Sequence, residues 1–252
     1  MFPSNPLRGK PNLYVAAWKS HFNMTNVSPS ALNYDHYPMS QYDRDIVRSI
    51  PGHREVHECI DAIVQRDLTT NPRVLELGVG TGLTAKRILQ QFPHADYTAI
   101  DFSQTMLQGA REKLGNYSVQ FILGDYSIID LPQHNDLVVS VLSIHHQATD
   151  EDKKRLFQRI YDSLKDAGQF IFGDLVTYRN PVEAAVNEAL HVHHLVEKAA
   201  DEQSLREWAH HHKFLNSLAP LESQREWLYD AGFKAVDVVF KKFNTALVYA
   251  KK

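Results

Sequence analysis

From about Ser40 onward, apolar residues alternate between two spacings. In "YDRDIVRSI", Ile46, Val47 and Ile50 share a helical face, and Pro51-Gly52 breaks the run. "HREVHECIDAIVQRDL" resumes it with Val56, Ile60 and Ile63. Short apolar runs then alternate with helical patterns. "RVLELG" reads as a buried strand, followed by a helix from Thr81 to about Gln91. "DYTAID" is a second strand before the helix "SQTMLQGAREKLG", with Gly115 as its cap, and "SVQFILGD" is a third strand. "NDLVVSVLSI" is a fourth, followed by the helix "DEDKKRLFQRIYDSLKDAG", ending at Gly168, and the strand "QFIFGDLV". Strands alternating with helices predict βαβ units and a parallel sheet covered on both faces. The near-continuous apolar run in "DLVVSVL" agrees, because parallel strands are buried on both sides. After Val176 the rhythm breaks. Residues 181–218 read as a helical insertion, "ESQREWLYDAGF" as a helix, and "KAVDVVF" and "TALVYAKK" as two closing strands. The prediction is a doubly wound, Rossmann-like α/β fold. Its sheet has seven mostly parallel strands with helices on both faces, and a helical cap spans about 177–220. Residues 1–50 form an arm and lid helix, and 51–252 the main domain.

Composition changes this picture little. The chain has 252 residues and a formal net charge of −3, without a block of lysines and arginines, so nucleic acid is not favoured as a partner. Its single cysteine, Cys59, rules out an internal disulfide and fits a cytoplasmic location. No apolar run reaches the length of a membrane span. A small-molecule substrate is expected, and a homodimer is compatible with the sequence.

The most informative segment is "VLELGVGTGLT", Val74 to Thr84, in which a strand carrying Glu76 runs into Gly78, Gly80 and Gly82. A strand–glycine loop–helix unit offers free N–H groups at a helix start, and glycine lets a ligand approach the backbone closely. A packed βα turn is the simpler alternative. Two acids at the same sheet edge favour a ligand: Asp101 ends the second strand, and Asp125 follows the third in "LGDY". Open α/β sheets bind ligands at that edge, and a carboxylate there suits a ribose diol. The spacing G-x-G-x-G differs from the G-x-G-x-x-G of a dinucleotide site.

Together "VLELGVGTGLT", "AIDFSQTML", "ILGDYS" and "VLSIHHQ" resemble the successive motifs of class I S-adenosylmethionine (SAM)-dependent methyltransferases. The resemblance implies SAM as cofactor and S-adenosylhomocysteine as product. It implies a glycine loop, with Glu76 ahead of it, against the methionine moiety, and Asp101 on the ribose. Phe102 and Met106 would flank the adenine, with Asp125 and Tyr126 near its amino group. The backbone from Ser140 through Val141 to Ser143 would face the sulfonium. The flanks "VRSIPGHREVHECIDAI" and "LESQREWLYDAGFKAVDVVFKKFNTALV" resemble carboxy-SAM synthases and their small-molecule methyltransferase relatives. At three positions where those synthases use Tyr, Asn and Arg, this chain has His53, Val141 and Trp227. The missing arginine removes a bidentate carboxylate partner, which points to the methyltransferase branch, with His53 still beside the SAM amino-acid portion.

The residues themselves offer candidates for the chemistry. His145 and His146 follow the fourth strand, where neutral imidazole suits general-base work; helix capping or ring packing is the alternative. Tyr42 on the lid and Tyr178 after the fifth strand offer aromatic faces to a cation, with Tyr34 and Tyr37 read as lid packing. His191, His193, His194, His210, His211 and His212 invite a metal reading. They lack a Cys or a clear acidic third ligand, so no metal is expected. Two other functions stay open from sequence: a SAM-consuming lyase or cyclase releasing methylthioadenosine, and a non-catalytic SAM-binding module.

Overall fold

The computed structural model describes residues 39–252; Tyr34 and Tyr37 lie outside them. Two helices come first, α1 (Met39–Ser49) and α2 (His53–Asp67). Gly52, at φ 78°, turns the chain between them, as the Pro-Gly break predicts. Then follow β1 (Arg73–Leu77), α3 (Leu83–Gln91), β2 (Asp96–Asp101), α4 (Gln104–Leu114), β3 (Val119–Leu123) and β4 (Asn135–Val141). A one-turn 3-10 segment, Ile144–His146, leads to α5 (Asp150–Ser163) and β5 (Leu164–Leu175). The insertion holds α6 (Pro181–Lys198), α7 (Glu202–His210) and a π turn, His211–Leu215. The chain closes with α8 (Leu221–Asp230), β6 (Ala235–Lys242) and β7 (Thr245–Lys251).

The seven strands form one sheet in the order β3-β2-β1-β4-β5-β7-β6. The first five are parallel; β7 runs antiparallel between β5 and β6. This is the expected Rossmann-like topology with a reversed closing hairpin. Alternate residues feed two cores. Phe170 and Phe172 join Phe157 and Leu228 of α5 and α8 on one face. Ile171 joins Ile60, Leu89 and Leu107 of α2, α3 and α4 on the other. Each such fully buried side chain contributes about 1.5–3 kcal/mol relative to exposure.

One boundary differs from expectation. The helix α5 stops at Ser163, not at Gly168, and Leu164 already pairs with Asn135. The ladder then jumps to Leu137↔Gln169, so residues 165–168 bulge out, with Ala167 at φ 60°. A Cβ at Gly168 would lie 2.8 Å from the Lys165 carbonyl oxygen, so the bulge needs glycine there. The start of α3 also shifts, from Thr81 to Leu83, because Gly82 takes φ 83° as its cap.

The ends of the insertion meet at the sheet edge. Thr177 N–H donates to the Ala219 carbonyl (3.1 Å) and Leu221 N–H to that of Thr177 (2.9 Å). Asn180 caps α6, its side-chain oxygen accepting from Val182 and Glu183 N–H, with Pro181 in the first turn. The helix α1 lies against this cap: Arg48 donates to the Lys198 carbonyl, and the Arg48 carbonyl contacts His194 Nε2 at 2.9 Å. Among the described residues no helix is long and apolar enough to cross a membrane.

Candidate active site

A cavity opens at the carboxyl edge of β1, β2 and β4, roofed by Tyr42 and Ile46 of α1. Its floor is the glycine loop. Gly78, Gly80 and Gly82 all have positive φ, at 73°, 53° and 83°, but they serve different ends. A Cβ at Gly78 would sit 2.1 Å from Ser143 Oγ, so β1 and the turn after β4 touch through it. A Cβ on Gly82 would press on Leu114, which brings α3 onto α4. Only at Gly80 is there nothing within 4 Å, and that space is the cavity.

Two carboxylates face it. Glu76 is fully buried, and burial raises its pKa to about 8 against the opposing pull of the Tyr97 hydroxyl, which donates at 2.8 Å; Asp101 adds to the rise. Asp101 accepts from Gly80 N–H at 2.8 Å and Ser103 N–H at 2.9 Å, which ties the second strand end to the loop. Burial pushes its pKa up, and those backbone N–H groups oppose the rise. Phe102 and Met106 line the wall beside it, and Ser103 caps α4 by accepting from Met106 N–H. His53 and Val141 also line the cavity. His53 is driven to a pKa of about 3 by burial, then by His57 and Arg87, and is neutral.

The end of β4 is irregular. Leu142 takes φ 54°, which a branched side chain rarely adopts, and its N–H donates to the Gly173 carbonyl at 2.7 Å. The next turn presents His146 to the cavity. Its Nδ1 is 3.0 Å from the Leu215 carbonyl, which fixes Nδ1 as the protonated nitrogen and leaves Nε2 basic. Burial, then His145 and His211, push its pKa well below 6.5, so it is neutral. His145 lies behind it, ring centroids 4.0 Å apart, and does not line the cavity. Its Nδ1 and its backbone N–H both engage the buried Asp174 carboxylate.

Several sequence-predicted residues stand outside the lining. Ser140 Oγ donates to the Leu77 carbonyl and cross-links β4 to β1. The Tyr126 hydroxyl contacts Ser143 from below, so it supports the turn. Asp125 accepts from both the N–H and the hydroxyl of Ser127 in a local turn. Tyr178 lies away from the cavity, its hydroxyl donating to the Phe243 carbonyl and its face under Lys241 Nζ at 4.0 Å. Its aromatic face is therefore already committed to a cation. His191 and His194 do not converge: His191 stacks on His212 at 4.1 Å, while His194 meets the Arg48 carbonyl.

Sequence reasoning missed a clasp over the loop. Asp43 of α1 accepts from the Thr81 hydroxyl and from Lys113 Nζ, each at 2.5 Å, and Lys113 also donates to Thr81 at 3.0 Å. No periodicity marks a contact between residues 70 apart in sequence.

These features match known proteins. The methyltransferase-domain family matches residues 74–168. The carboxy-SAM synthase of Aeromonas hydrophila is 28% identical over 227 residues, covering 87% of this chain and 90% of that one. A malonyl-[acyl-carrier protein] O-methyltransferase of Neorickettsia risticii is 49% identical over 72 residues, 29% of this chain and 28% of that enzyme's length. In fold the chain is similar to a phosphoethanolamine N-methyltransferase of Haemonchus contortus, solved with phosphomonomethylethanolamine and S-adenosylhomocysteine. The TM-score is 0.61 at 17% identity, over 87% of this chain and 59% of that one. The match to the methyltransferase-domain family over residues 74–168, the strand order and the glycine loop agree with one another.

Proposed function

We propose that the protein transfers the SAM methyl group to a small-molecule acceptor at an oxygen, nitrogen or acidic carbon, with His146 as the base. The observation that carries this reading is the placement of a neutral, tautomer-fixed imidazole in the same cavity as the glycine loop and Asp101.

The residues present fit SAM. The open space at Gly80 admits a ligand against the backbone, and Glu76 is a buried carboxylate facing the cavity with the Tyr97 hydroxyl as its neutral partner. An ammonium group brought there favours the ionised carboxylate. The Asp101 carboxylate already holds backbone donors from Gly80, Ser103 and Phe102 and keeps lone-pair capacity for a ribose hydroxyl. Phe102 and Met106 offer apolar contact to a base. SAM supplies a methyl on a sulfonium that is already electrophilic, so alignment, exclusion of water and a deprotonated acceptor are what remain. The clasp at Asp43 holds α1 over the cavity and limits water entry. His146 Nε2 takes the acceptor proton, and the Leu215 carbonyl stabilises the imidazolium by accepting from Nδ1–H. The acceptor enters on the His146 side, where the Leu215 carbonyl of the insertion meets that ring. A single free cysteine, half-buried, suits a reducing compartment such as the cytoplasm.

The test is product analysis with SAM and fractionated metabolite extract. S-Adenosylhomocysteine together with a methylated metabolite supports transfer. Methylthioadenosine without a methylated product replaces it with lyase chemistry.

A further inference from the structure

Three imidazoles from two distant parts of the chain meet beside the cavity. His145 and His146 come from the turn after β4, and His211 opens the π turn after α7. One ring nitrogen from each lies within 4.8 Å of the other two. We propose that His145, His146 and His211 bind a divalent transition-metal ion of the zinc class, with an open coordination position toward the acceptor side of the cavity.

The surroundings of the rings carry this assignment. Asp174 accepts from His145 Nδ1–H and from the His145 backbone N–H, and the Leu215 carbonyl accepts from His146 Nδ1–H. Both rings are thereby held in the tautomer whose Nε2 carries the lone pair. A carboxylate or carbonyl behind a ligating histidine is the usual way its ring is oriented and made more basic. Three imidazoles with no fourth protein ligand in the cluster among the described residues match a catalytic-type zinc set. The ligand nitrogens must draw in, since tetrahedral Zn–N bonds of about 2.0–2.1 Å bring nitrogens to roughly 3.3 Å apart. His211 sits on a π turn, a local irregularity that recurs at functional sites. The turn is tied to the histidine pair, because Ser217 N–H donates to the His145 carbonyl at 2.8 Å.

The metal site stands on these contacts alone; its part in catalysis rests on the SAM reading above. His146 Nε2 cannot hold an ion and take the acceptor's proton at once, so the base reading applies to the metal-free protein; a bound ion would instead lower the pKa of an acceptor hydroxyl.

The experiment titrates Co²⁺ and Zn²⁺ into chelator-treated full-length protein. It reads the visible bands of cobalt, the melting temperature and, separately, SAM binding by calorimetry. Expected are one equivalent of four-coordinate Co²⁺, displaced by Zn²⁺, and a rise in melting temperature with Zn²⁺. Asp174→Asn should weaken the metal by about 10–100-fold. His211→Ala should abolish the cobalt bands while SAM still binds, and His211→Cys should restore them with added sulfur-to-metal charge transfer, which a purely structural histidine would not give. No cobalt bands in the wild type, or bands unchanged in His211→Ala, overturns the site. Methyl transfer that persists in chelator without metal binding removes the metal and leaves the SAM reading. Metal binding without SAM binding does the reverse.

Discussion

At the scale of single residues, the two cavity carboxylates do different work. Asp101 already organises the loop, so Asp101→Ala should cost SAM about 1–3 kcal/mol of affinity, the usual worth of hydrogen bonds to a charged group. Calorimetry reads the loss, and circular dichroism should show the fold intact. Burial holds the Glu76 carboxyl at about 8, above its ordinary 4.5. A raised acid stabilises the fold fully below about 4.5 and loses that contribution as pH rises through about 8. Binding of an ammonium needs the charged form, so SAM affinity should climb by up to about tenfold per pH unit from pH 6 toward 8. Glu76→Gln should flatten both dependences; a pH-independent wild-type affinity over that range would remove Glu76 from the methionine subsite. The glycines, both acids and the histidine pair were legible in sequence because each is a local pattern at a strand end. What Asp125, Ser140 and Tyr178 do was not, because their partners, Ser127, Leu77 and Phe243, are set by turn geometry and tertiary packing.

At the scale of elements, the glycine loop separates fold from ligand. Gly78→Ala puts a Cβ 2.1 Å from Ser143 Oγ at positive φ, so it should lower stability by roughly 1–3 kcal/mol, seen as a drop in melting temperature. Gly80→Ala meets nothing within 4 Å. It should cost only the strain of a left-handed alanine, about 1–2 kcal/mol, and lose most SAM affinity because its Cβ enters the ligand space. Equal damage to stability and binding in the two variants would contradict the division. The helix α1 gives a third test. Asp43→Asn loosens the clasp to Thr81 and Lys113, so bound SAM should leave several-fold faster in stopped-flow release, with the sheet core unaffected. Helical periodicity foretold α1, but not what it holds. The end of α5 was misplaced for a related reason: Leu164 continues the helical apolar spacing, yet it is claimed by pairing with Asn135 on β4.

At the scale of the molecule, strand order places everything. Parallel pairing of β2-β1-β4 brings three carboxyl ends to one edge, and the antiparallel hairpin β6–β7 closes the sheet far from them. The sequence rhythm foretold the mostly parallel sheet with helices on both faces, since buried parallel strands and crossover helices have distinct periods, but neither the strand order nor the reversal of the closing hairpin. It was silent on how the insertion folds back, which is what brings Leu215 and His211 to the histidine turn. The most direct measurement is diffraction from crystals grown with S-adenosylhomocysteine. The ribose hydroxyls should lie on Asp101, the amino group toward Glu76, and the sulfur on the side of the cavity that faces His146. A ligand bound elsewhere, or one whose sulfur is turned away from His146, would contradict a methyl-transfer site at the end of β4.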